Sequence, residues 1–312
     1  MPIDPVLAPL LDMIGGLPHM NPPFDVAALR LADEQPMPVF KAEVAEVRDL
    51  TLDTAAGPVA ARLYHPAPGT ELPLLFFLHG GGWVFGTIET HDPLCRALAS
   101  AAEVAVLSLD YPRAPEHRYP AALDTMHAAL VAAAAQAGEL GIDPARIAVG
   151  GDSAGGNLTA ALCLKLRDEG GPAVAHQLLF YPVIDNDFTR ASYIENGAGY
   201  FLSGAMMQWF WAQYLGDANA TPDSLAAPIR AASLAGLPSA TVITAEYDPL
   251  RDEGNAYAER LVAEGVAVTH SQTPGVIHGF ASMLGMLPQA DIAVGTAAKG
   301  LRRAFGLMDA VA

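Results

Sequence analysis

Apolar residues along this 312-residue chain fall into short runs separated by longer stretches of helical periodicity. The runs at Val44–Leu50, Val59–Tyr64, Leu74–Leu78, Val104–Leu109, Ile147–Val149, Gln177–Phe180, Thr241–Ala245 and Val266–His270 predict eight strands. Those around Leu74, Val104, Ile147, Leu178 and Val242 are apolar at successive positions, as in central parallel strands covered by helices on both faces. The first two runs alternate and are joined by "DTAAGPV", which predicts an antiparallel edge hairpin. Ala- and Leu-rich stretches at Ala121–Ala137 and Leu158–Leu166 suit crossover helices. The pattern is that of an α/β protein with a single catalytic domain.

Two segments break the alternation, residues 1–43 and 188–227, and divide the chain into a leading segment, a first body part 44–187, an insertion 188–227 and a second body part 228–312. At the start, Val6, Leu7, Leu10, Leu11 and Ile14 recur at helical spacing, beside Asp4, Asp12 and several prolines. This predicts a short amphipathic helix and not a signal peptide, which would lead with basic residues. The insertion carries "GYFLSGAMMQWFWAQYLG", where Ser203 is placed to cap a helix presenting Met206, Met207, Phe210, Trp211 and Tyr214 on a broad apolar surface.

Composition narrows the function. The chain is 52% hydrophobic and 16% charged, which suits a compact body, and its net charge of −17 disfavours nucleic acid and anionic membrane surfaces. No apolar run is long enough to span a membrane. Two cysteines, Cys95 and Cys163, suit a reducing compartment without a disulfide framework, so a soluble cytoplasmic protein is expected.

The chemistry begins at "RIAVGGDSAGGNL", where a strand-like run meets a helical one across Gly151-Asp152-Ser153-Ala154-Gly155. G-x-S-x-G in a strand-to-helix turn holds the serine strained and outward, as a nucleophile requires. No lysine follows the glycines, which argues against a phosphate loop. A serine hydroxyl needs a base. Of nine histidines, His278 in "TPGVIHGF" follows the last predicted strand, whereas His270 lies in a strand, His127 on a helix and His79 in a glycine motif as a structural hydrogen-bonder. Asp248, ending the strand in "TVITAEYDPLRDEG", is the candidate acid that orients the base, with Asp185 in "YPVIDND" as the alternative. Upstream, "LLFFLHGGGWVFG" drops from bulky side chains to three glycines, so that backbone N–H groups can approach a developing oxyanion. Gly81, Gly82 and Ala154 are the expected donors. Trp83, Met206, Met207, Phe210 and Trp211 are the candidate walls of a substrate pocket.

"HGGGW", "DYPRAPEHRYPAAL", "GDSAGGNL", "DPLRDEG" and "HGF", in that order, resemble the bacterial hormone-sensitive-lipase-like esterases, family IV of the lipolytic α/β-hydrolases. The resemblance implies an eight-stranded, mostly parallel sheet with a helical cap built from the two irregular segments. It also implies hydrolysis of short- to medium-chain uncharged esters without cofactor or metal, and frequent homodimers. The same triad serves amidases and lactonases. Hormone receptors on this fold lack the histidine, which this chain has at His278. One departure stands out: where the family often reads "DYRLAPE", this chain places Pro112 and Arg113.

Overall fold

The computed structural model describes residues 2–15, 22–33, 41–217 and 220–307. Parts of the two irregular segments, 16–21, 34–40 and 218–219, and the last five residues therefore lie outside the described residues. Among the described residues eight strands form one sheet: β1 (Glu46–Thr54), β2 (Gly57–His65), β3 (Leu72–Leu78), β4 (Ala105–Leu109), β5 (Ile142–Asp152), β6 (Val174–Phe180), β7 (Ser239–Tyr247) and β8 (Val268–Ile277). Their order is β1-β2-β4-β3-β5-β6-β7-β8. β1 and β2 make the expected hairpin, Thr54 opposite Gly57, and β2 also runs antiparallel to β4. All pairs from β4 to β8 are parallel.

The helices are α1 (Ala8–Gly15), α2 (Val26–Asp33), α3 (Ile88–Ala102), α4 (Ala121–Ala135), α5 (Ala137–Leu140), α6 (Ala154–Glu169), α7 (Ala191–Asn196), α8 (Gly204–Leu215), α9 (Arg251–Ala263) and α10 (Pro288–Ala304). Strand alternation explains how they divide. On β3, Leu74, Phe76 and Leu78 join one core with Leu123 and Met126 of α4, Leu158 of α6 and Leu261 of α9. Leu75 and Phe77 face the other way, into a core with Leu94 and Leu98 of α3 and Leu301 of α10. Every β3 residue from Pro73 on is buried, as the unbroken apolar run requires.

The last strand departs from its predicted span. Expected at Val266–His270, it runs from Val268 to Ile277. Pro274 and Gly275 read as a strand end, but a register shift between Ala245 and Tyr247 lets β8 carry them as a bulge. The bulge is tied down, Gly275 N–H donating to Glu246 Oε2 at 2.7 Å and Gly275 O accepting from Asp4 N–H at 2.8 Å. His278 thus stands in the turn that follows directly on β8. β3, β5, β7 and β8 all deliver their next residues to the carboxyl edge of the sheet, where sites in open α/β folds form.

In the insertion, Ser203 Oγ accepts the Met206 N–H at 3.1 Å, and α8 buries Met206, Met207, Phe210, Trp211 and Tyr214 as predicted. Among the described residues no helix is long and apolar enough to cross a membrane.

Candidate active site

Ser153 sits between β5 and α6 with φ 53° and ψ −118°. Such a positive φ is costly for a residue with a Cβ and persists only where surrounding contacts impose it. Here the Ser153 N–H donates to Phe180 O at 2.9 Å, and the Ser153 carbonyl accepts from Val183 and Asn157. The turn also demands glycine two residues on: a Cβ on Gly155 would lie 1.9 Å from Leu78 O. The hydroxyl faces His278, with Ser153 Oγ and His278 Nε2 2.9 Å apart. His278 Nδ1 lies 2.7 Å from Asp248 Oδ2, and Asp248 is fully buried. Since an ionised carboxylate only accepts, Nδ1 carries the proton and Nε2 is left as the acceptor for the serine proton.

Asp185, the alternative acid, is elsewhere engaged. Its two oxygens pair with Arg190 at 2.8 Å and Arg230 at 3.1 Å. His270 binds Asn255 Oδ1 from within β8, and His127 lies on α4. Asp248 also holds its own turn, because Oδ1 accepts the Leu250 N–H at 2.8 Å just ahead of α9.

The glycine loop lies beside the elbow. Gly81 and Gly82 have φ +115° and +60°, and Gly81 O accepts from both Val84 and Phe85 N–H. Among the described residues no acceptor meets the N–H of Gly81, Gly82 or Ala154, so three donors are left unspent beside Ser153. Ala154 opens α6, whose N-terminal end adds partial positive charge there. The glycines also have a reason the sequence reading did not contain. A Cβ on Gly81 would stand 2.2 Å from Phe85 O, and one on Gly82 2.2 Å from the Phe210 ring. Protein atoms by themselves exclude side chains from these two positions.

Two residues escaped the sequence reading. Asp152, next to the serine and nearly fully buried, accepts the Gly80 N–H at 2.8 Å, and His91 Nε2 lies 3.1 Å from the same oxygen. The elbow and the glycine loop are thereby latched together. Burial pushes the Asp152 carboxyl up, but His91 and the Gly80 N–H favour the anion, and its pKa lies below the ordinary value. An acidic residue closing an otherwise apolar strand was the available signal for Asp152; nothing in the sequence links it to His91. His79 is the structural residue expected. Fully buried, it stacks on Tyr111 at 4.2 Å, its carbonyl accepts the Tyr111 hydroxyl at 2.8 Å, and burial pushes its pKa down.

The candidate pocket residues separate. Phe210 lies on Gly82, and Phe24 packs at its side, with ring centroids 6.4 Å apart. Trp83 is stacked on Tyr214 at 4.2 Å and packs against Trp211 at 4.9 Å, so these rings are committed to the interior. Met206 and Met207 are buried in the same core.

Known proteins share this fold. Residues 75–282 match the family model described as the alpha/beta hydrolase fold. The chain is 40% identical over 310 residues to the carboxylesterase NlhH of Mycobacterium tuberculosis, covering 97% of this chain and 96% of that protein. It is 38% identical over 304 residues to the esterase LipI of the same organism, covering 96% and 94%. The solved hyperthermophilic esterase from the archaeon Pyrobaculum calidifontis superposes with a TM-score of 0.92 at 37% identity, covering 97% and 99%. With this fold and these relatives, the chain belongs to the α/β-hydrolase family, among the hormone-sensitive-lipase-like carboxylesterases, and is a carboxylic ester hydrolase.

Proposed function

We propose that the protein hydrolyses short- to medium-chain uncharged esters through an acyl-enzyme on Ser153. The observation that carries this is the continuous chain Asp248–His278–Ser153, with separations of 2.7 and 2.9 Å. His278 Nε2 takes the Ser153 proton as Oγ attacks the ester carbonyl. The carbonyl oxygen becomes anionic and meets the N–H groups of Gly81, Gly82 and Ala154, each such donor being worth about 3–4 kcal/mol in the transition state. His278 then protonates the departing alcohol, and the same steps with water release the acid. Asp248 holds the tautomer and stabilises the imidazolium.

In the same reading, residues 1–43 and 188–227 cap the body formed by 44–187 and 228–312. Phe24 and Phe85 pack against Trp209 of α8, with centroids 4.8 and 6.2 Å from it, which supports an aromatic roof near the glycine loop. Such walls favour uncharged groups. Cytoplasmic residence, which the two buried unpaired cysteines suit, and homodimerisation complete the proposal.

An organophosphate should label one residue, Ser153, with loss of esterase activity, and Ser153→Ala should fold normally without turning over p-nitrophenyl acetate. Labelling elsewhere, or substantial turnover by the variant, would overturn the reading.

A further inference from the structure

The Gly80–Gly86 loop is held by two guanidiniums, one of them at one of the two positions where the sequence leaves the family pattern. Arg113 Nη1 donates to Gly86 O at 2.9 Å. Arg30, on α2, donates from Nε to Val84 O at 2.9 Å and from Nη2 to Ala114 O at 2.7 Å. It also forms a two-pronged pair with Glu116, both contacts at 2.9 Å. The Ala114 N–H returns to Trp83 O at 2.9 Å, so segment 113–116 and the glycine loop are laced together.

Gly86 is the point through which this bracing reaches the site. Its φ is +82°, and a Cβ there would lie 2.2 Å from Gly80 O and 2.7 Å from His79 Nδ1. The Gly86 backbone therefore rests directly on Gly80, the residue before the two proposed donors. A leucine at position 113 has no group to offer the Gly86 carbonyl; an arginine does.

We propose that Arg113, together with Arg30, is a positioning residue for the oxyanion loop. Arg113 fixes the Gly86 carbonyl and so the direction of the Gly81 and Gly82 N–H groups, and Arg30 makes that direction depend on the seating of α2. The proposal rests on the reading of Gly81 and Gly82 as oxyanion donors. Its signature follows from the chemistry. Misdirected donors weaken binding of the anionic oxygen far more than of the neutral carbonyl, so kcat falls while KM holds.

The test is steady-state hydrolysis of p-nitrophenyl acetate by the full chain, with thermal unfolding measured in parallel. Arg113→Leu is expected to lose about tenfold in kcat, the equivalent of one ordinary hydrogen bond, with KM within about twofold. Adding Arg30→Gln is expected to cost less than the product of the two single losses, because both act on one loop. An open groove of about 730 Å³, lined in part by Arg30, Asp110, Arg113, Glu116 and His117, gives small molecules access to the site Arg113 would vacate. Ethylguanidine should therefore restore part of the kcat of Arg113→Ala, which a loss of folded protein would not allow. Wild-type kcat in Arg113→Leu, a loss that only tracks a lowered Tm without rescue, or strictly multiplicative single losses would overturn the proposal. Ser153→Ala separates the two levels. If it still turns over ester, the reading of the site itself fails; if activity depends on Ser153 but not on Arg113, only the bracing fails.

Discussion

Asp248 holds His278 with one carboxylate oxygen and its own turn with the other, Oδ2 lying 2.7 Å from His278 Nδ1 and Oδ1 2.8 Å from the Leu250 N–H. The orientation of the imidazole is thus fixed by the same group that starts the descent into α9. Asp248→Asn can keep the turn through its amide oxygen but presents an amide to the ring. By analogy with amidation of a triad aspartate, kcat should fall by about 10⁴ with little change in Tm. Asp185→Asn should do the reverse, leaving kcat within about tenfold and lowering Tm, because Arg190 and Arg230 lose a buried partner. The two variants assayed side by side decide which acid serves His278.

Gly82→Ala tests how close the roof lies to the oxyanion loop. The backbone at φ +60° already disfavours alanine by about 1–2 kcal/mol, and the new methyl would enter the Phe210 ring. Displacing one donor should lower kcat by about 10²–10³. Adding Phe210→Ala removes the collision but not the backbone strain, so kcat should recover in part. Full activity in the single variant would show that the loop has room the geometry denies.

The body of the fold was legible because burial on both faces leaves a plain mark: β3 reads as an unbroken apolar run and β4 as one interrupted only by Ser108, and both are buried in the structure. β8 was not, since Pro274 and Gly275 mimic a strand end, and only pairing with β7 and the bonds to Glu246 and Asp4 keep the chain extended through them. The site divides the same way. Ser153 was legible from its local turn, and His278 from its place after the last strand. The choice between Asp248 and Asp185 was less so, because both follow strands, and what sets them apart is that Arg190 and Arg230 converge on one of them. The Asp152–His91 latch joins a strand end to a helix start with no periodicity linking them, so it emerges only from the folded chain.

His176 predicts a dependence of stability on pH that is separate from catalysis. Ser239 Oγ donates to Ala175 O at 2.9 Å, so His176 Nδ1, 2.8 Å away, is the donor to Ser239. Nε2 then accepts from Thr241 Oγ1 at 2.9 Å, and the ring is held neutral. Burial pushes its pKa down to about 4. The unfolded chain, near ~6.5, binds a proton in this window that the folded chain refuses, so stability falls as pH falls from about 6.5 to 4. The loss should approach roughly 3 kcal/mol from this group. His176→Gln, though less stable at pH 7, should show a flatter decline of unfolding free energy across that window. An unchanged slope would mean that the ring is not held neutral.

Acyl-length preference tests the proposed roof through Phe210 and Phe24. Each methylene of a p-nitrophenyl ester that leaves water for an apolar pocket gains up to about 0.8 kcal/mol, roughly fourfold in kcat/KM. The series should therefore climb from acetate and then drop once the chain meets a wall. Phe210 is fixed on one side by the loop backbone at Gly82 and on another by Phe85, with centroids 5.8 Å apart in an edge-on contact, so it has little freedom to yield. Phe24 joins the same group from the leading segment through its 4.8 Å contact with Trp209. Phe210→Ala should move the optimum to longer acyl chains and raise kcat/KM for them while lowering it for acetate, because short groups lose their apolar contact. Phe24→Ala, one ring further out, should act in the same direction with a smaller shift. If neither variant moves the optimum, or if the wild type hydrolyses long-chain esters as well as short ones, the aromatic group is packing that the substrate never meets.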